Sequence, residues 1–310
     1  MSAPLITIGI TCYNAADTIT RAIESARAQD WPNTEIIVVD DLSTDASRDI
    51  IAQFSDVRLV KHPVNKGPGG ARQTLVNEAQ GDFLVFFDDD DESLPHRLTK
   101  QYQRIIWFET ENPGIMCACY GMGERIYPNN YKIEIAPPGR LGQAPQGPDM
   151  AGRILFFKDV PQEWELGATP SCALMARTET FKNVGGFDED FRRIEDLDFA
   201  VRLALAGGAF IGTEEKVFIQ HATVAQDKSH QKNLEAEQQL AHKHRDYLNQ
   251  EHTYFHALYW PKLRFYHFQK KYFSFLFLLT ALFFNAPLRT MRHLLQTGPK
   301  RLRHERSMKK

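Results

Sequence analysis

The stretch FFDDDDESLP, residues 86–95, raises the first chemical question. Asp88, Asp89, Asp90 and Asp91 are consecutive and follow the apolar run FLVFF. Two like charges about 4 Å apart near a protein surface repel by on the order of 4 kcal/mol, so four carboxylates closing a buried strand need a reason. Side chains alternate along a strand, which predicts Asp88 and Asp90 on one side, about 6.6 Å apart. A hard divalent cation between them removes the repulsion. Mg²⁺ or Mn²⁺ takes oxygen ligands and commonly uses one or two carboxylates plus substrate phosphates. The plain alternative is an acidic turn in which Asp91 or Ser93 caps the helix that Pro95 would open.

Other polar groups invite the same weighing. Thr11, Tyr13 and Asn14 follow one apolar run, and Asp40 and Asp41 close another. One of that aspartate pair could accept hydrogen bonds from a ribose or a base edge, or both could cap the next helix. Arg72 follows the glycine-rich KGPGG. With backbone N–H groups it could contact phosphate, or it could be a solvated arginine. Glu195 and Asp196 open an amphipathic stretch. They answer a helix dipole, or one of them faces a crevice as a general base. His221 ends KVFIQH, either as a satisfied strand histidine or as a phosphate or metal contact.

These residues need a scaffold. LITIGIT (5–11), EIIVVD (35–40), VRLV (57–60) and FLVFF (83–87) read as strands. Ile19, Ala22, Ile23 and Ala26 recur at helical spacing, and Ile50, Ile51 and Phe54 mark a second helix. NKGPGGA reads as a loop before a helix over 71–79, and Pro95 as the first residue of a long helix to about Glu109. Strands alternating with helices predict an α/β fold with a largely parallel sheet covered on both faces. Such sheets bind ligands beyond the carboxyl ends of their strands, where three of the polar clusters lie. Past residue 110 the pattern loosens. GIMCACYGM and TPSCALMA read as strands, TETFKNV as a helix, and the proline- and glycine-rich 128–150 as a mobile loop or lid. A strand pair is expected near 209–221.

The chain has 310 residues, 43 % of them apolar, enough for one large domain or two small ones. Its cysteines, Cys12, Cys117, Cys119 and Cys172, form no C-x-x-C pair and read as reduced core thiols suited to a cytoplasmic chain. No signal peptide is visible at the start. Of 37 basic and 39 acidic residues, 12 basic and one acidic (Glu305) fall in 261–310, leaving 25 basic against 38 acidic in 1–260. A basic tail on an acidic body points to an anionic partner. A membrane surface suits it better than nucleic acid, because no nucleic-acid motif accompanies the charge.

Four segments in order, ITIGITCYNAADTITRAIESARAQ, EIIVVDDLSTDAS, NKGPGGARQTLVNEAQGDFLVFFDDDDESLPHRL and GGFDEDFRRIEDLDFAVRLALAGG, resemble glycosyltransferase family 2 over roughly residues 4–225. The resemblance implies a GT-A fold, with a mostly parallel, Rossmann-like sheet. It implies domains at 1–225, with a nucleotide-binding half 1–110 and an acceptor-binding half 111–225, followed by a helical basic and aromatic extension 226–310. Thr11, Tyr13 and Asp41 would line the base and ribose site, with Asn14 beside them. Arg72 would approach the base or diphosphate, and Asp88, Asp89 and Glu195 would also contact the donor. The acidic run fits the family pattern D-x-D-D-x-x-x-P. Asp88 and Asp90 would hold Mg²⁺ or Mn²⁺, with His221 near the diphosphate. Asp196 would be the base of an inverting transfer from a nucleotide-diphosphate sugar, a UDP-sugar foremost, to a glycan or lipid-linked hydroxyl. The Q-x-x-R-W signature of processive members is absent, so one sugar per acceptor is expected. Ile194 stands where many members have glycine.

Rival readings are weighed against this one. A dinucleotide-binding dehydrogenase needs G-x-G-x-x-G where this chain has Thr11 to Ala16 without glycine. A nucleotidyltransferase would share the metal but gives Glu195 and Asp196 no role. A degenerate sugar-nucleotide-binding protein would keep the site without its chemistry. In the tail, residues 272–288 form an uncharged run of 17, at the short limit for spanning a bilayer. The flanking aromatics and basic residues favour an interfacial anchor on the cytoplasmic face of a membrane. A true span, or a helix buried in the core or in a dimer contact, are the alternatives. The terminal PKRLRHERSMKK would add attraction to anionic lipid.

Overall fold

The computed structural model describes residues 2–222 and 229–308, with side chains through residue 297. The chain divides into two units, Met1–Ala151 with Val160–Thr223, and Gly152–Asp159 with Val224–Lys310. The boundary expected at 225/226 lies among residues 223–228, outside those described.

The first unit is built from β1 (Ile6–Cys12), α1 (Ile19–Arg27), β2 (Thr34–Asp40), α2 (Ser47–Ile51), β3 (Val57–Lys61), α3 (Gly67–Glu78) and β4 (Phe83–Asp88). There follow β5 (Glu92–Ser93), α4 (Arg97–Glu111), β6 (Cys117–Ile126), β7 (Lys132–Ile135), α5 (Gly147–Phe156), which runs on into the second unit, β8 (Leu174–Arg177), α6 (Thr178–Val184), α7 (Glu195–Leu205) and β9 (Ala209–His221). The strands form one sheet in the order β3-β2-β1-β4-β8-β6-β9-β5, with β7 on β6. β1 to β4 run parallel. The other half is mixed: β8 is antiparallel to β4 and β6, and β6 parallel to β9. Both faces are covered, so the central strands are buried on both sides: Ile6, Ile8, Ile10, Val38, Phe83 and Val85 pack on one face, while Ile37, Val39, Leu84 and Phe86 at the alternate positions are equally buried. All four cysteines are buried and free.

Four local expectations are corrected. The glycine-rich NKGPGGA is mostly the first turn of α3. Gly67 takes φ +76°, and a Cβ on Gly69 would stand 2.6 Å from the Asp188 carbonyl oxygen, so these glycines serve close packing. The long helix starts at Arg97, because Glu92 and Ser93 are strand and Pro95 and His96 form a turn: β5 pairs with β9, Leu94 N–H donates to Val217 O at 2.8 Å, and Arg97 N–H to Leu94 O at 3.0 Å. The stretch 128–150 is not a free lid. Gly139 N–H bonds Glu165 O at 2.8 Å, Ala168 N–H bonds Ala136 O at 2.9 Å, and Arg104 Nη2 donates to Gly139 O at 2.8 Å. Finally, 209–221 is one strand with a register shift against β6 between Tyr120 and Met122, where a strand pair was expected.

The second unit is helical: α8 (His230–Lys243), α9 (Arg245–Gln250), α10 (Tyr254–Phe268), α11 (Tyr272–Asn285) and α12 (Pro287–Met308). Phe156, Ala241, Leu248 and Ala257 form one small core, and Leu263, Leu278 and Leu282 a second. The uncharged run 272–288 is divided. Ala286 leaves helical geometry at φ −153° and ψ 80°, and Pro287 opens the next helix. No described helix is long and apolar enough to cross a membrane. Nor is α11 a core helix, since only Leu278 and Leu282 of it are buried. The backbone of the basic terminal run is helical through Met308; its side chains lie outside those described.

Candidate active site

Parallel pairing sets the site. Thr11 lies opposite both Val39 and Asp88, and Cys12 opposite Asp40, so β1, β2 and β4 end at one level. Asn14 takes a left-handed turn, φ 51°, which asparagine tolerates. Its Oδ1 accepts from Thr44 N–H at 2.8 Å, joining the loop after β1 to the loop after β2. Tyr13 keeps an exposed ring, and its N–H donates to Asp89 Oδ2 at 3.0 Å.

The two aspartates after β2 are buried and used internally. Asp40 accepts from Arg48 Nε at 2.5 Å and from Ser43 N–H. Asp41 Oδ1 meets His62 Nδ1 and Lys66 N–H, each at 2.7 Å, and its Oδ2 takes Gly67 N–H at 2.7 Å. Asp41 is therefore the anion at the start of α3. The N–H groups expected to cradle a phosphate beside Arg72 are occupied by it. These three bonds hold in place the carboxylate expected at the base and ribose site.

Arg72 is buried between two acids. Its Nη2 donates to Asp88 Oδ1 at 2.7 Å and its Nη1 to Glu195 Oε1. The two carboxylates hold the guanidinium charged despite burial. One arginine thus ties the acidic end of β4 to the first residue of α7, which lies 123 positions beyond that arginine in the chain. Asp196 follows, half-buried, with Oδ1 accepting Leu197 N–H at 2.8 Å. Burial, and then the neighbouring Glu195 charge, push its carboxyl up to about 7, against the pull of Arg72. Ile194, just before the pair, sits at φ 55° and ψ 25°. That is left-handed backbone, which a β-branched side chain rarely adopts.

The strand ends at Asp88, so alternation does not carry on to Asp90 as expected. Asp89 and Asp90 lie in a turn, and Asp91 folds back. Ligand atoms of Asp88, Asp91 and Cys172 lie within 4.8 Å of one another, a grouping that the alternation argument did not give. Asp91 Oδ1 accepts the His221 backbone N–H at 3.1 Å. Its Oδ2, and His221 Nε2, are buried with no partner among the described residues. Burial first, with repulsion from neighbouring aspartates, pushes Asp89 and Asp91 each up to about 8. Burial pulls His221 below the usual histidine range. The turn itself is held from behind: fully buried Arg97 donates to Phe86 O, Ser93 Oγ and Gln101 Oε1, each at 2.9 Å.

The structure thus brings Asp88, Arg72 and Glu195 into direct contact, with Asp196 next to them. It links Tyr13 to Asp89 and His221 to Asp91, and leaves Thr11 at the strand end beside Asp88. Reasoning from the sequence missed Cys172, Arg97, and the buried hydroxyls of Tyr120 and Ser171, which have no partner among the described residues. Burial first, and then the nearby Asp196 charge, raise the Tyr120 phenol. For Arg97 a signal existed: Arg97 and Gln101 share a four-residue spacing with the buried Ile105, which marks them as polar residues on the apolar stripe. Tyr120 and Ser171 carry no such mark.

An acidic turn closing a strand is thus joined to an acid pair on a later helix, and the comparisons with known proteins give the family. The glycosyl transferase family 2 model matches residues 7–176. The chain is 44 % identical over 103 residues to the succinoglycan biosynthesis protein ExoO of Rhizobium meliloti, covering 33 % of this chain and 30 % of that one. It is 39 % identical over 109 residues to the UDP-Glc:alpha-D-GlcNAc-diphosphoundecaprenol beta-1,3-glucosyltransferase WfaP of Escherichia coli, covering 34 % and 42 %. The matches therefore span less than half the length of these relatives. Among solved structures, S. aureus TarS 1–349 in complex with UDP-GlcNAc superposes with a TM-score of 0.60 at 20 % identity, over 85 % of this chain and 73 % of that one. The chain belongs to glycosyl transferase family 2, and its fold is that of the GT-A neighbours.

Proposed function

We propose that the chain transfers one sugar, with inversion, from a UDP-sugar to a hydroxyl of a glycan or lipid-linked acceptor at the cytoplasmic face of a membrane. Residues 1–110 serve the nucleotide and 111–225 the acceptor. The observation that carries this reading is the Arg72 bridge from Asp88 to Glu195, which sets a carboxyl with a pKa of about 7 beside the acidic turn. The relatives support the substrate classes, since WfaP is named for a UDP-glucose donor and a diphosphoundecaprenol-linked acceptor.

The residues of the turn fit a divalent cation, because buried Asp91 Oδ2 lacks a partner and three aspartates repel one another there. Asp88 and Asp90, with Asp91 and His221 at hand, would hold Mg²⁺ or Mn²⁺. When bound, it supplies Lewis-acid stabilisation of the departing diphosphate. Thr11, Tyr13 and Asn14 line the nucleotide side. Asp196 Oδ1 is held by Leu197 N–H, so Oδ2 takes the proton of the acceptor hydroxyl as that oxygen bonds the anomeric carbon. The bond from that carbon to the UDP oxygen breaks on the opposite face, and its electron pair leaves with the diphosphate. Arg72 holds Glu195 in place beside the base.

The test is to incubate the chain with Mn²⁺, a panel of nucleotide sugars and undecaprenyl-diphosphate-linked acceptors, and identify the products. Release of UDP with a glycosylated acceptor is expected. Release of pyrophosphate would mean nucleotidyl transfer. An unchanged rate in Asp196→Asn would remove the base assignment.

A further inference from the structure

Helix α11 is apolar on every side. One edge, Leu278 and Leu282, packs with Leu263 of α10. The opposite edge faces solvent: Phe273, Phe277 and Phe284 are 93, 79 and 86 % exposed. Beyond the break at Ala286, Leu288, Met291 and Leu295 of α12 are also exposed and recur at three- and four-residue spacing. Soluble surfaces rarely carry so continuous an apolar strip, and a helix apolar all round belongs in a core or in lipid. At 14 residues α11 is about 21 Å long, short of the roughly 30 Å hydrocarbon core, so it lies along a bilayer rather than across it.

From α10 through His304 the sequence carries charge of one sign, although Arg264 and Arg292 are answered by Glu237 and Asp159 from other segments. No Asp or Glu occurs between His252 and His304 in the sequence. Lys262, Lys270 and Lys271 make no ion pair among the described residues. Between α10 and α11 runs a groove of about 440 Å³ walled by Tyr259, Tyr266, Phe273, Phe277 and Leu278. Lys262 Nζ stands in it, 5.8 and 5.9 Å from the centroids of Tyr259 and Tyr266. An ammonium in an aromatic-walled groove matches an anionic lipid, with phosphate at the lysine and chains against the rings.

We propose that the α10–α11 hairpin and the start of α12 form a docking surface for an anionic phospholipid bilayer, with the Phe273–Phe277–Phe284 row immersed and Lys262, Lys270 and Lys271 at the phosphates. A second copy of the chain would also cover the row, but a two-fold contact would bring these lysines against their own images, where like charges repel. The proposal deepens the reading of a membrane-borne acceptor and rests on that reading only for its purpose.

The 310-residue chain is sedimented with vesicles of phosphatidylcholine, or of equal parts phosphatidylcholine and phosphatidylglycerol. Binding to the anionic vesicles is expected, weakening as salt rises. Phe273→Ser with Phe277→Ser should lower the partition by about 100-fold, and Lys262→Glu with Lys270→Glu by at least about 25-fold. These side chains are exposed or half-buried, so the melting temperature should hold. UDP release from UDP-glucose in vesicle-free buffer should also be unchanged in the variants. A wild type that stays in the supernatant with both vesicles, or variants that bind as well as it does, overturns the proposal. So does a dimer by light scattering that the serine variant dissolves while vesicles bind neither form. Absence of UDP release from the wild type would instead count against the transfer reading and leave the vesicle result standing.

Discussion

Arg72 Nη2 and Asp88 Oδ1 are 2.7 Å apart, and the other nitrogen of the same guanidinium holds Glu195. This bridge fixes where the end of β4 lies relative to the start of α7.

Removing the bridge strands two carboxylates. Breaking a buried ion pair from one side costs about 3–5 kcal/mol. Arg72→Met should therefore unfold at markedly lower denaturant concentration and lose transfer. Adding Glu195→Gln to Arg72→Met should restore much of the stability, because a neutral amide needs no cation, but not the activity. Chemical denaturation of the three proteins, with UDP release measured alongside, checks both halves. Full stability in Arg72→Met would show that the bridge bears little of the fold.

The pKa of Asp196, about 7, predicts two opposite pH trends. The base works ionised, so kcat/KM should rise about tenfold per pH unit below 7 and level off above it. Folding runs the other way. The folded carboxyl holds its proton more tightly than an unfolded aspartate near 3.9. Its contribution to stability is complete below about pH 4 and fades as pH rises through about 7. Asp196→Asn should therefore be more stable than wild type at pH 8 and slower by about 10²–10⁴-fold. A melting curve at pH 8 showing the variant less stable would contradict this.

Ile194 holds left-handed backbone that disfavours its side chain by roughly 1–2 kcal/mol. Ile194→Gly removes that strain while adding about 1 kcal/mol of unfolded-state freedom and losing some packing. The melting temperature should stay within a few degrees of wild type, since glycine is also well tolerated at a helix N-cap. A loss above about 3 kcal/mol would mean that the isoleucine packs more than it strains.

These particulars show which parts of the molecule the sequence made legible. The parallel half of the sheet was readable because Ile6–Cys12, Thr34–Asp40 and Phe83–Asp88 are apolar runs ended by polar clusters, and a parallel sheet leaves those ends few places to go. Pairing of Arg72 with Glu195 was not readable, since nothing local links positions 123 residues apart. The Asp88 and Asp90 alternation failed because it assumed that the strand continued through a turn. The 128–150 stretch looked loose by composition, yet Gly139 and Ala168 tie it down with backbone bonds that composition does not report. The tail showed its charge and aromatics but not the break at Ala286, which divides one uncharged run between two helices, each with exposed apolar residues.

The central claim is that the turn from Asp88 to Asp91 holds a divalent cation shared with the diphosphate of the donor. Titration calorimetry of UDP into the chain with and without Mn²⁺ tests it most directly. The account predicts that Mn²⁺ tightens UDP binding by about tenfold or more, roughly 1.4 kcal/mol, and that Asp90→Ala abolishes the gain. Equal affinities with and without Mn²⁺, unchanged by Asp90→Ala, would contradict it.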